Sequence, residues 1–175
     1  MMDQYRYKTF WQRFWAGFID GLVFLPINFF HHYLSSPARS PAVLISWAIF
    51  SYSVYWLYSV LLHARYGQTL GKRAMHVKVM DVSEEAIPSL SQAFLRDIGY
   101  IVINVFSLIY FIYLVVSHKY INGPQQLENG IPGEILGFAG LGWFLLEVVT
   151  MLTNPKRRAF HDFIAKTVVV STIFS

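Results

Sequence analysis

Three side chains able to hold a proton or a cation, Asp20, Asn104 and Glu147, stand inside long apolar runs of a chain that is poor in charge. Asp20 follows Arg13 by seven residues, close to two helical turns, so the two share nearly one helix face about 10 Å apart along the axis. Asn104 follows Asp97 by the same spacing and Glu147 precedes Asn154 by it, so the three groups have one depth when counted from the same end of the runs. A charge at that depth in a bilayer is costly and marks ion or proton handling by default. The competing reading is structural: a carboxylate satisfied by Arg13, a tyrosine or a serine, and an asparagine that joins helices by hydrogen bonds. Both readings stay open for Asp20 and Glu147, and interhelical bonding is the simpler role for Asn104.

The elements that must position these groups follow from composition. Of 175 residues, 55% are hydrophobic, 18% aromatic and 14% charged, against roughly 25% charged in soluble domains. Four runs, 14–34, 42–62, 98–117 and 135–153, reach the length of about 20 apolar residues that crosses a hydrocarbon core. They are apolar on every side, where a soluble helix would show a polar face. The predicted fold is an all-α membrane protein, a four-transmembrane-helix bundle in a single domain over residues 1–175, with cytoplasmic N- and C-termini and a small cytoplasmic β ribbon.

The orientation rests on lysine and arginine. Placing both termini inside puts Arg6, Lys8, Arg13, Arg65, Lys72, Arg73, Lys78, Arg96, Lys156, Arg157, Arg158 and Lys166 on the cytoplasmic side, and only Arg39 and Lys119 outside. That asymmetry is the positive-inside pattern. The net charge of +4 therefore reads as topology and lipid-headgroup contact, and nucleic acid is not an expected partner. The first run carries Asp20, exceeds a signal-peptide core in length and lacks a small-residue cleavage site, so a permanent helix is expected.

Between the second and third runs lies the largest polar segment, 63–95. Within it Met75, Val77 and Val79 alternate with His76, Lys78 and Met80, as in a half-buried strand. The only other β-rich run on that side, 167–171, is its predicted partner. Pro26 is expected to kink the first helix, and Ser89 or Ser91 to cap a short helix leading into the third. In the outer segment 118–133, Gly123-Pro124, Asn129-Gly130 and Pro132-Gly133 mark turns. Gly133, Gly137, Gly140 and Gly142 allow close helix approach.

Cysteine is absent, which excludes disulfides and thiolate metal sites. His31, His32 and His118, with Glu128 and Glu134, fall near the outer surface, and histidines at span ends are a simpler reading than a metal site. No HExxH, Walker loop, dinucleotide fingerprint or serine elbow occurs, so neither an enzyme of those classes nor a cofactor is expected.

Three segments in order, Arg13-x-x-Ala16-x-x-x-Asp20, Gly67-Gln68-Thr69-Leu70-Gly71-Lys72-Arg73, and Arg158-Ala159-Phe160-His161-Asp162 ahead of 167–170, resemble the RDD family of small membrane proteins. The resemblance matches Arg13 and Asp20 to the family's arginine and first aspartate and Asp162 to its second. It implies a bacterial cytoplasmic membrane and, for some members, cation/proton antiport. The predicted function is thus a transporter or cation/proton exchanger in which Asp20, Glu147 and Asn104 handle a monovalent cation or proton, with a charge network of Arg13, Asp162, Arg158 and Arg73. Arg13 is open to either aspartate. The alternative is a non-catalytic membrane scaffold or assembly subunit that binds a partner protein. Four spans are few for a carrier, so a homo-oligomer is the easier architecture for transport.

Overall fold

A computed structural model describes residues 5–123 and 131–173. The turns expected at Pro124 and Asn129-Gly130, together with Glu128, lie outside the described residues. Helix α1 (Phe10–Val23) is followed at once by α2 (Leu25–Leu34), and the two are bent by 50°. Pro26 sits in the first turn of α2, where its missing N–H breaks no bond of the helix it starts. The first run is therefore a broken helix with its corner at Phe24, and not one rod.

Helix α3 (Pro41–Tyr66) starts at Ser40, whose Oγ accepts the Val43 N–H, and ends at Gly67 in the left-handed conformation. A Cβ on Gly67 would lie 2.7 Å from the Val79 carbonyl oxygen, so only glycine fits this corner. A short helix α4 (Leu70–Ala74) and strand β1 (Val77–Asp81) follow. Helix α5 (Leu90–Val116) opens with a Ser89/Gln92 capping box and runs unbroken through the region expected to hold a separate short helix. Helix α6 (Ile131–Thr153), a short α7 (Phe160–Ile164) and strand β2 (Thr167–Ser171) complete the order. Helices α3, α5 and α6 are each long and apolar enough to cross a membrane, and the α1–α2 pair passes as a fourth, broken span. Their outward faces carry large apolar side chains such as Phe18, Phe29, Ile109, Phe138 and Val149, as contact with lipid requires.

Strands β1 and β2 pair antiparallel, with Val79 opposite Val169 at the centre. Val77, Val79 and Val169 form a small closed core with Met75. At the other end of the bundle, Leu44, Ala48, Phe111, Leu114, Val115 and Tyr120 form a second core, pinned by the Tyr120 hydroxyl donating to the Ser35 carbonyl at 2.6 Å.

The element order repeats. A first helix, a second helix, a five-residue helix and a strand occur once as α1/α2–α3–α4–β1 and again as α5–α6–α7–β2. The last part of the unit matches position for position: left-handed Gly67 with Arg157, α4 with α7, left-handed His76 with Lys166, and β1 with β2. Val79 and Val169 are equivalent in this correspondence and also face each other in the ribbon, so a local two-fold axis passes between them. Tandem repeats of one orientation are one of the two repeat plans of membrane carriers.

Candidate functional site

Each half of the chain uses its first helix to hold its own short helix. In the first half Asp20, 3% exposed on α1, meets the start of α4. Its Oδ1 accepts the Gly71 N–H at 2.8 Å and the Tyr58 hydroxyl at 2.7 Å, and its Oδ2 accepts the Thr69 hydroxyl at 2.6 Å. Tyr58 in turn accepts the Leu70 N–H at 3.0 Å. The leading N–H groups of α4, which have no partner inside their helix, are thus satisfied from α1 and α3. Asp20 has acceptor bonds on both oxygens and, among the described residues, no arginine partner.

In the second half the polarity is exchanged. Asp162, fully buried on α7, receives Arg96 of α5 on Oδ1 and Arg13 of α1 on Oδ2, the latter at 2.9 Å. The Thr167 hydroxyl and the Ala159 N–H complete its shell. Burial pushes the Asp162 carboxyl up, but Arg96 and Arg13, with the Ala159 N–H, hold it well below the ordinary carboxylate range. Of the two aspartates open to it, Arg13 takes Asp162. Arg158 donates to the backbone oxygens of Asp162 and Thr167, at 2.8 Å each, rather than to a carboxylate. Arg73 is exposed and makes no ion pair among the described residues.

His161 links this clamp to Glu147. Its Nε2 lies 3.0 Å from an Arg96 nitrogen and 3.3 Å from an Arg13 nitrogen, which can only donate. Nε2 is therefore the acceptor, and the ring proton sits on Nδ1, donating to Glu147 Oε1 at 2.7 Å. Trp143 also donates to Oε1, and Tyr100 to Oε2 at 3.4 Å. Each half so contains one acid–tyrosine pair, Asp20 with Tyr58 and Glu147 with Tyr100, with the acid on the first helix in one and on the second helix in the other.

Between these groups lies a cavity of about 480 Å³ lined by Asp20, Glu147, His161, Asp97, Lys72 and His63, among others. Three polar atoms of residues at its wall are buried without a hydrogen-bond partner, Asp97 Oδ2, His63 Nε2 and Arg96 Nε. Lys72 forms no ion pair among the described residues. Burial, reinforced by Arg96, brings its ammonium down from 10.5 to about 8. Asn104 is not in this cavity. It lines another, of about 500 Å³, with Asn28, His31, Ser51 and Tyr52. Helix α5 begins at Leu90 and not near Asp97, so Asp97 is already beside the cavity and Asn104 two turns beyond it. Arg96, Asp97, Lys72, His63 and Tyr58 were not singled out as site residues by the sequence. The Ser89-x-x-Gln92 capping signal was the available clue that Arg96 and Asp97 are helical and inside. His31 accepts from Trp47 Nε1 at 3.1 Å and has no metal-binding cluster around it among the described residues.

Residues 7–166, nearly the whole chain, match the RDD family. The chain belongs to the RDD family. It is also 30% identical over 173 residues to the uncharacterized membrane protein YteJ of Bacillus subtilis (strain 168), an alignment covering 94% of this chain and 80% of that protein. No solved structure matches it. This RDD protein is an integral membrane protein whose arginine and two aspartates, as the resemblance assigned them, fall into two separate clusters: Arg13 with Asp162, and Asp20 with the start of α4.

Proposed function

We propose that this protein is a proton-linked carrier of monovalent cations whose exchangeable site is the cavity between α1, α3, α5 and α6. The observation that carries the reading is a pair of opposite charges, Lys72 and Asp97, that face one cavity without forming an ion pair. A cation that enters beside Asp97 supplies the charge its free oxygen lacks and raises the local positive potential at Lys72, which favours release of the lysine proton. Cation and ammonium thus compete for the same negative field, the requirement for exchange. Glu147 and His161 form the second proton-holding pair at the wall. In this reading Asp20 and Asp162 are frame, since both carboxylates are saturated by protein donors. Orientation with the ribbon in the cytoplasm is supported by the lysine and arginine asymmetry.

A scaffold role is favoured by one observation, the saturation of Asp20, which holds the α4–β1 segment firmly against the bundle. Flux separates the readings. In vesicles reconstituted with purified protein, a sodium or potassium gradient is expected to move protons, with loss of flux in Asp97→Asn and Lys72→Met while both variants remain folded. Folded variants with unchanged flux, or a wild-type protein that moves no ion, would overturn the carrier.

A further inference from the structure

The carrier reading leaves the second cavity unused, although it is as large as the first and sits on the other side of Asp20. Its wall holds Asn28, His31, Ser51, Tyr52 and Asn104. These five share the wall with the apolar Phe24, Ile27 and Val54, no lysine or arginine lines it, and together they bring amide, hydroxyl and imidazole groups to one side of the cavity, where water and a hydrated cation can meet them. Interhelical bonding accounts for His31, which accepts from Trp47, whereas polar groups lining an open cavity at this depth are what a water-filled space requires.

The partition between the two cavities is thin. Asp20 lines the first and Gly21, the next residue, lines the second. Tyr55 lines both. Its ring lies 5.3 Å from that of Phe24, and Phe24 lies 5.2 Å from Tyr58, whose hydroxyl is on Asp20. Phe24 is also the corner at which the first span breaks, a place where a change of two backbone torsions re-aims α2 without disturbing α1. The layer is thus held on one side by the saturated Asp20 and on the other by a hinge.

We infer that the second cavity is the far-side vestibule of a transmembrane pathway for hydrated monovalent cations, closed from the first cavity by the Tyr55–Phe24 aromatic layer. The inference rests on the carrier reading for the identity of what passes, but its geometry is testable without any flux.

The chain contains no cysteine, so single cysteines report alone. Gly17 lines the first cavity and Gly21 the second, only one helical turn apart, and both have open space where a side chain would start. Glu85→Cys on the exposed ribbon turn and Ala38→Cys in the opposite turn mark the two faces. A charged, membrane-impermeant methanethiosulfonate is applied to one face of sealed vesicles at a time. Gly17→Cys is expected to react only from the face that modifies Glu85→Cys, and Gly21→Cys only from the face that modifies Ala38→Cys. Adding Tyr55→Ala, or separately Phe24→Ala, is expected to make Gly17→Cys reactive from both faces. Reaction of both cysteines from one face, or no reaction at Gly21→Cys, overturns the vestibule. Unchanged sidedness in whichever opening variant folds overturns the gate. The expected sidedness in a protein that moves no ion would keep the two-chamber pathway and remove only the carrier assignment.

Discussion

Asp20 Oδ1 and the Gly71 N–H meet at 2.8 Å, and the meeting is possible only because residue 71 has no side chain. A Cβ there would stand 2.0 Å from the Ala16 carbonyl oxygen and 2.9 Å from the Asp20 carboxyl carbon. The aspartate and the glycine, one in the first span and one in the short helix after the second, are two halves of a single contact.

Replacing either half should therefore damage the same element. Asp20→Asn turns one acceptor oxygen into a donor facing the Thr69 hydroxyl or the Gly71 N–H, and an unsatisfied buried group of this kind costs about 1–3 kcal/mol. Gly71→Ala forces α4 off α1, with an overpacking cost of about 1–3 kcal/mol or more. Thermal unfolding in detergent is expected to show both losses, and the double variant should lose less than their sum, because either change alone already lifts α4. Full additivity would show that the two residues act separately.

The Asp162 clamp sets the acid limit of the fold. Its carboxyl is held below its ordinary value near 3.9, so its contribution is fully present above that unfolded value and is lost only as pH falls through the lower folded value. Asp162→Asn leaves Arg13 and Arg96 buried beside a neutral amide, and a broken buried ion pair costs about 3–5 kcal/mol. The wild type is expected to exceed the variant by that amount at pH 7, and the gap should narrow only under strong acid. A gap that closes by pH 5 would contradict the clamp.

Lys72 behaves in the opposite sense. Its ammonium, brought down to about 8 by burial and Arg96, is disfavoured in the folded state relative to the unfolded chain. Between about 8 and 10.5 the unfolded chain holds a proton that the folded one has released, so stability rises with pH across that window. Lys72→Met is expected to be more stable than wild type at pH 7, with the advantage shrinking above pH 8. Competitive acylation of Lys72, read by mass spectrometry, is expected to show a midpoint near 8. A midpoint near 10.5 would mean that the cavity does not desolvate the lysine.

The features legible in the sequence were those written in periodicity. The alternation of Met75, Val77 and Val79 marked β1, and 167–171 was its only candidate partner; the two strands pair as expected. Pro26 signalled the broken first span, although not that Phe24 is the corner. The apolar run 98–117 follows the charged pair Arg96-Asp97, but Ser89 and Gln92 cap α5 ahead of that pair, a shift of about two turns. That shift is what separated Asn104 from Asp20 and brought Asp97 in. Arg96 could not be matched to Asp162 across 66 positions, since nothing local in either segment depends on the other. The repeat is equally hidden. Between residues 67–81 and 157–171 only Val79 and Val169 are the same residue type, because backbone conformation, and not side-chain chemistry, is what the two halves share. The exchange of acid and partner between them also explains why the motif residues do not look alike.

The contact between α5 and α6 offers the last test, because it depends on one small residue and carries Glu147 with it. A Cβ on Gly99 would lie 2.3 Å from the Trp143 ring, and Trp143 donates to Glu147. Gly99→Ala therefore has to displace the indole, which removes one of the donors that orient Glu147 toward His161. Gly137 on α6 has open space at the same point, and alanine there should only gain the helix preference of about 0.5–1 kcal/mol over glycine. The expected contrast is a stability loss of about 1–3 kcal/mol for Gly99→Ala, with a changed indole environment in tryptophan fluorescence, against a neutral or stabilised Gly137→Ala with an unchanged spectrum. Equal behaviour of the two variants would mean that α6 does not rest on Gly99, and that Trp143 does not couple the α5–α6 contact to the cavity wall.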